Sequence, residues 1–466
     1  MTTPFDLKSV SLINFRGFRR EVDIPLAPLT FLVGPNSSGK SSIFSAISLL
    51  AQSGFPGRLP LPSEIVWSGR LVDVGSFRDA VYGHIPTRKM QIGLQFSSAV
   101  TAWRPWLTRQ PTNLKGLPMR LTITLRQGDK DSLGEVDEIE VTDVTSQQSI
   151  SITVRIQRTN IKLRIKFPDR IRMVLAPKSE RRYQIIDSRV LEHVMQYRKS
   201  GKRRRGGTAA GWKRIASILG DFGLEFLLGG CERVASGRSA PQRSYPLTRS
   251  RVDERGALSL GRVDSVDPGM ISESKSVRPS EFRRQRRAAR VRLEQFLEKL
   301  EIASDATSER LSPYHSSISV KDSHTEITSN LVDVGFGASQ IIPVIRACQS
   351  ESMSPLFVEQ PEIHLHPRAQ GHVADLLIDT SKDRQVLVET HSVHLINQAR
   401  LRVAKGELKS QDVIVLYVCR NSSGSHVKSI PILENGDFAA EWPEGFFEER
   451  YQETLALLDA KNKHDE

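Results

Sequence analysis

Apolar positions along this chain change period in blocks, and the blocks predict its elements. Residues 6–34 read as two strands around a short turn, ending in the largely apolar run LTFLV. A helix is predicted from Lys40 to about Gln52. Between 90 and 187, the segments MQIGLQF, MRLTITLR, EIEVTDV, SISITVRIQ and IKLRIKF alternate apolar and polar residues, as half-buried antiparallel strands do. From 188 to 310 the pattern predicts helices and polar loops, including RKSGKRRRGG at 198–207 and a Gly/Ser/Arg-rich passage at 235–275. Pro279 and Ser280 open a long predicted helix, EFRRQRRAARVRLEQFLEKLEI, basic in its first half and amphipathic in its second. After 315 the alternation of an α/β sheet returns: PLFVEQ, a helix near 368–381, QVLVETHS, another helix, then DVIVLYVCR. No internal repeat and no long heptad run interrupts this pattern. The expected fold class is α/β, a mixed sheet plus an antiparallel β subdomain, with a basic helical insertion. The expected divisions are 1–187, an insertion at 188–310, a return of the first domain at 311–420, and a tail at 421–466.

Composition narrows the setting. A chain of 466 residues is long enough for two or three domains, or for one large domain with an insertion. Its 38% hydrophobic and 26% charged content is ordinary for a globular protein. MTTPFDLKSVSLINF lacks the basic-then-apolar arrangement of a secretory signal, and no window reaches the apolar length of a membrane span. Cys231, Cys348 and Cys419 lie far apart, with no paired spacing that suggests a disulfide framework or a zinc site. The expectation is a cytoplasmic protein with no membrane partner. The net charge of +13 is unevenly placed: residues 151–300 hold 35 Lys/Arg against 15 Asp/Glu, so the rest of the chain sums to −7. Such asymmetry suits a surface that meets a polyanion.

Gly34-Pro35-Asn36-Ser37-Ser38-Gly39-Lys40-Ser41, followed by Ser42, satisfies GxxxxGK[ST] between an apolar strand and a predicted helix. Glycines let the backbone wrap closely around phosphates, and its N–H groups with the helix N-terminus point at the negative charge. Lys40 is expected to reach the β- and γ-phosphates, and the Ser41 hydroxyl to ligate Mg²⁺. ATP and Mg²⁺ are therefore the expected ligands. Three further segments follow in order. Val334-Gly335-Phe336-Gly337-Ala338-Ser339-Gln340 is a glycine-rich turn ahead of IIPVIRAC. PLFVEQ and VLVETHS are apolar strands, the first ending in a carboxylate and the second in a histidine.

NFRGF (14–18), GPNSSGKSS (34–42), GFGASQ (335–340), EQPEIHLHP (359–367) and ETHS (389–392) together resemble the ABC/SMC-like head ATPases of the overcoming-lysogenization-defect type and their single-head relatives. GDFAAEWPEGFFEER (436–450) resembles a tail of unknown function in one branch of these ATPases. The resemblance spans about 1–187 and 311–466, outside the basic insertion. It implies a Walker B role for Glu359, holding Mg²⁺ through water, and a switch role for His391 at the γ-phosphate. It further implies that Ser339, with Gly337 and the surrounding backbone, caps the γ-phosphate of an opposite subunit, and that Arg16 lies beside the phosphate loop. A homodimer or higher homo-oligomer follows from that. On the residues alone, Glu359 also reads as a satisfied core acid and His391 as a solvent-facing strand end.

One position departs from the family pattern. The usual water-orienting glutamate after the Walker B acid is Gln360, which holds a water but cannot take its proton. The loss of general-base help costs on the order of 10²–10⁴ in rate. Either Glu362 or His364 supplies the base, or hydrolysis is slow and ATP mainly holds two heads together. Fewer than eighty residues follow His391, too few for a Toprim nuclease domain. The resemblance thus points to lone-head sensor ATPases of bacterial anti-phage systems, such as PARIS and Septu, which act with a separate effector, a nuclease. The alternative is a DNA-repair or nucleic-acid-remodelling ATPase. Arg198, Lys199, Lys202, Arg203, Arg204 and Arg205, with Arg283, Arg284, Arg286 and Arg287, form two cationic patches. These suit either DNA or RNA phosphates or an acidic protein surface.

Overall fold

The computed structural model describes residues 7–53, 65–97, 118–128, 134–144, 151–156, 160–166, 183–187, 190–196, 231–238, 240–246, 294–312, 315–350 and 354–442. Among them, the segment at 6–34 resolves into three strands, not two. β1 (Leu7–Ile13) and β2 (Val22–Pro25) pair with each other, while β3 (Leu29–Val33) belongs to a different sheet. β1 and β2 join β4 (Met90–Ser97), β5 (Pro118–Gln127), β6 (Gly134–Asp143), β7 (Ser151–Ile156), β8 (Asn160–Lys166), β9 (Tyr183–Asp187) and β10 (Val190–Gln196). Their order is β2-β1-β4-β5-β6-β7-β8-β10-β9, antiparallel throughout.

The second sheet carries the chemistry. Its order is β11 (Glu232–Val234), β16 (Leu356–Glu359), β17 (Val386–Glu389), β3, β18 (Val413–Asn421) and β19 (Gly424–Pro431). The first five run parallel and only β19 is antiparallel. The strands β3, β16 and β17 are buried at every position, as parallel strands covered on both faces must be. Alternate residues face opposite ways. Leu32, Phe357, Leu387, Leu416 and Val418 pack into one core with α1 (Lys40–Gln52) and the antiparallel sheet, Phe44 lying 5.2 Å from Phe357 between ring centroids. Phe31, Val33, Val358, Val388 and Val415 pack into a second core against α2 (Phe336–Cys348), α3 (Pro367–Ser381) and α4 (Val393–Ala404). A third, small sheet centres on β14 (His315–Lys321), which pairs with β12 (Tyr245–Pro246), β13 (Asp305–Arg310) and β15 (Thr328–Asn330).

Helix starts follow local rules. Pro367 opens α3 behind His366, whose Nδ1 accepts from the Arg368 N–H at 3.3 Å. Ser392 caps α4, its Oγ accepting from the Leu395 N–H at 3.3 Å. Helix α1 follows Gly39 without any side-chain cap, so its first N–H groups face the loop before it. Parts of the interval read as helices and polar loops are strands instead: β10, β11, β12 and β13. Short, charged strands such as Glu232-Arg233-Val234 present no alternation to read, and their pairing alone makes them strands. Of the long predicted helix, residues 294–299 are helical and its basic half lies outside the described residues. Among the described residues, no helix is long and apolar enough to cross a membrane.

Candidate functional site

Parallel strands of an α/β sheet deliver their C-terminal ends to one edge, where ligands of such folds bind. Here β3 leads directly into the phosphate loop. Gly34 has φ 135°, and a Cβ there would run into the carbonyl oxygen of Val418, so this close approach to β18 requires glycine. Gly39, at φ 111°, turns the loop into α1. Pro35, Asn36 and Ser37 are exposed, while Ser38, Lys40 and Ser42 are buried. The Lys40 ammonium donates to the carbonyls of Gly34 (2.9 Å) and Pro35 (2.8 Å). Burial lowers its pKa, partly offset by the charge of Glu389.

Two carboxylates end neighbouring strands at the same level, since Glu359 pairs in register with Glu389 and Glu389 with Leu32. Their partners differ. Glu359 accepts from Arg233 Nε at 2.6 Å, with Arg233 Nη2 also on Oε1. Its Oε2 accepts from the N–H (3.2 Å) and Oγ (3.3 Å) of Ser236. Glu389 Oε2 instead accepts from Ser41 Oγ at 2.7 Å. Burial raises the pKa of Glu389; the Ser41 bond opposes that rise and neighbouring Glu359 adds to it.

Behind β16, Gln360 holds a positive φ of 44°, and its N–H donates to the Glu389 carbonyl at 2.7 Å. Arg238 clamps this turn. Its guanidinium donates to the carbonyls of Glu359 (3.1 Å) and Gln360 (2.9 Å) and to Gln340 Oε1 (3.3 Å). Glu362 Oε1 accepts the His391 N–H at 2.8 Å, and burial raises the Glu362 pKa. His391 is exposed on the residue scale, yet partial burial of its ring, with Lys40 nearby, lowers its pKa and favours the neutral imidazole. His364 also has a positive φ, 61°, and its ring lies 5.5 Å from Phe336.

At the start of α2 the Ser339 side chain turns into its own helix. Ser339 is 3% exposed, and its hydroxyl donates to the Phe336 carbonyl at 2.8 Å. Gly335 and Phe336 form the exposed surface there, and a Cβ on Gly337 would meet the His364 carbonyl oxygen at 2.9 Å. Arg16, at φ 47°, reaches α1 one turn beyond the loop, donating from Nη1 to Ser45 Oγ at 3.1 Å. Arg198, Lys199, Lys202, Arg203, Arg204, Arg205, Arg283, Arg284, Arg286 and Arg287 lie outside the described residues.

Sequence reading missed Arg233, Ser236, Arg238, Glu389 and Ser425. Ser425 donates its Oγ to the Ser38 carbonyl at 2.6 Å, and its N–H to the Gly17 carbonyl at 2.8 Å. The β18–β19 hairpin thereby ties the phosphate loop to NFRGF. Of these residues only Glu389 carried a readable signal: VLVE ends in an acid just as LFVE does.

Among the described residues no three His, Cys, Asp or Glu side chains gather into a metal cage. Ser41 Oγ beside a carboxylate offers hard oxygen donors, which fits a Mg²⁺ completed by phosphate oxygens and water.

A family described as AAA ATPase domain matches residues 6–192 and 271–396, and one described as a protein of unknown function matches 408–457. No curated protein matches the chain. Similar solved structures include an SMC head bound to the C-winged helix domain of ScpA (15% identity, 91% of this chain and 97% of that one, TM-score 0.43). Another is the SMC head domain with an extended coiled coil bound to the C-terminal domain of ScpA from Pyrococcus furiosus (15% identity, 92% and 96%, TM-score 0.41). A third is the SMC head domain from Thermotoga maritima (12% identity, 92% and 99%, TM-score 0.36).

Proposed function

This chain belongs to the AAA ATPase domain family, and from that premise we propose that it is an ABC-type head that assembles around Mg-ATP and acts as a sensor and scaffold in anti-phage defence, controlling a separate effector nuclease. The observation that carries the ATP part is the loop between β3 and α1, with Ser41 hydrogen-bonded to the strand-end carboxylate of Glu389 and Lys40 near enough to act on it by charge. The defence role rests on the resemblance of the motif set.

In this reading Lys40 and the loop N–H groups hold the phosphates. Ser41 and Glu359 are the expected holders of Mg²⁺, whose charge would stabilise the phosphoryl oxygens. His391, kept neutral by burial and by Lys40, presents one ring N–H to the terminal phosphate. A second copy supplies the cap through the exposed start of α2; with Ser339 turned into its own helix, backbone N–H groups at Phe336 and Gly337 carry that contact. Gln360 orients water without taking its proton, so turnover is slow and bound ATP serves as the clamp between heads.

Native mass spectrometry of the complex purified from its host with Mg-ATP tests this. A homo-oligomer with a tightly bound second protein is expected, and that protein names the output. The surplus of 20 positive charges in residues 151–300 favours one alternative, a nucleic-acid-remodelling ATPase. A bare dimer carrying nucleic acid, with DNA-stimulated and steeply salt-dependent turnover, supports that alternative.

A further inference from the structure

Glu359 and Glu389 stand side by side, but their surroundings assign them different work. Both oxygens of Glu359 are occupied: Oε1 by the Arg233 guanidinium, and Oε2 by Ser236 through its N–H and hydroxyl. The pair is buried, with Arg233 delivered by β11 in register beside β16. For Glu359 to reach the phosphate loop it must abandon a buried guanidinium, which is costly. Glu389 needs no such move. Its Oε2 already lies 2.7 Å from Ser41 Oγ. Two neighbouring oxygen ligands of an octahedral Mg²⁺, each about 2.0–2.1 Å from the ion, are about 2.9 Å apart. Ser41 and Glu389 thus have the spacing of two adjacent ligand positions.

We propose that Glu389, at the end of β17, is the carboxylate that serves Mg²⁺ together with Ser41, directly or through one bound water, and that Arg233 retires Glu359 to a structural role. The inference rests on the ATP-binding reading above and replaces Glu359 by Glu389 within it. Strand order explains how this arises. β17 lies between β16 and β3, so Glu389 ends the strand paired directly with the one that leads into the loop.

The test separates nucleotide binding from metal binding in the full-length chain. Affinity for a fluorescent N-methylanthraniloyl ATP is measured in EDTA and again in Mg²⁺, and the ratio is the metal's contribution. Glu389→Gln should bind the nucleotide in EDTA at least as tightly as wild type, because a negative charge beside the phosphates is gone, while its affinity in Mg²⁺ itself falls about 10–100-fold below wild type. Glu389→Asp keeps the charge but withdraws the oxygens, and its Mg²⁺ contribution should fall as well. Folding of each variant is checked by thermal melting. A folded Glu389→Gln that binds the nucleotide in Mg²⁺ as tightly as wild type overturns the proposal. Wild-type protein that binds no nucleotide under either condition overturns the ATP reading itself, a result distinct from the first.

Discussion

The ends of β16 and β17 are two nearly identical pieces of chain with opposite electrostatic fates. Each is four residues, apolar until a final glutamate, and buried throughout. Glu359 bonds a guanidinium brought by a three-residue edge strand; Glu389 bonds a hydroxyl, and Lys40, Arg233 and Glu359 act on it through their charges. A buried acid with a cation is a fixed strut. A buried acid held by one hydroxyl hydrogen bond is a site waiting for positive charge. The difference teaches that position at a strand end does not set a carboxylate's partners; what the neighbouring elements deliver does.

The largest expected effect comes from breaking the strut. Arg233→Met leaves Glu359 buried and unpaired and should cost about 3–5 kcal/mol in urea denaturation. Adding Glu359→Leu to Arg233→Met should recover most of that loss, because the unpaired charge goes with it. A neutral Arg233→Met would erase the contrast between the two strand ends.

The residue after each acid sharpens the comparison. Gln360 follows Glu359 and Thr390 follows Glu389. Gln360→Glu introduces a proton acceptor and should raise single-turnover hydrolysis about 10²-fold. Unchanged turnover in Gln360→Glu, together with its loss in Glu362→Ala, would show that Glu362 is the base and that ATP is not merely a clamp.

A smaller effect should come from the far side of the loop. Ser425→Ala removes the hydroxyl that braces the Ser38 carbonyl. About 1 kcal/mol of nucleotide affinity should go with it, read by titration, while Glu359 and Arg233 are undisturbed.

The smallest is a shift in stability with pH. Burial raises the pKa of Glu389 above its ordinary 4.5, so the folded chain holds that proton more tightly than the unfolded chain does. The favourable contribution of protonated Glu389 is full below about pH 4.5 and is lost as pH rises through the raised value. Glu389→Gln, which still accepts from Ser41, should therefore melt at or slightly above wild type at pH 8, with the gap closing towards pH 4. A variant that melts lower at pH 8 would mean that Glu389, like Glu359, is a strut.

Much of the site was legible because its parts are local. The phosphate loop needs a strand, a glycine turn and a helix within two dozen residues, and α1 runs over Lys40–Gln52 as its pattern predicts. The strands ending in Glu359 and Glu389 announce themselves as short apolar runs. The partners of those acids were not legible. Arg233 lies 126 residues before Glu359, on a strand too short and too charged to show a period, and Ser425 lies 387 residues after Ser38.

By itself, then, the sequence determined which residues form the loop, which short apolar runs are strands and which helices cover the sheet, since those depend on neighbours within one or two turns of chain. Only the tertiary structure decided which acid faces Ser41, because that depends on strand order. β17 enters between β16 and β3, β11 adds at the outer side of β16, and one guanidinium arriving there neutralises one glutamate and leaves the other to the phosphate loop.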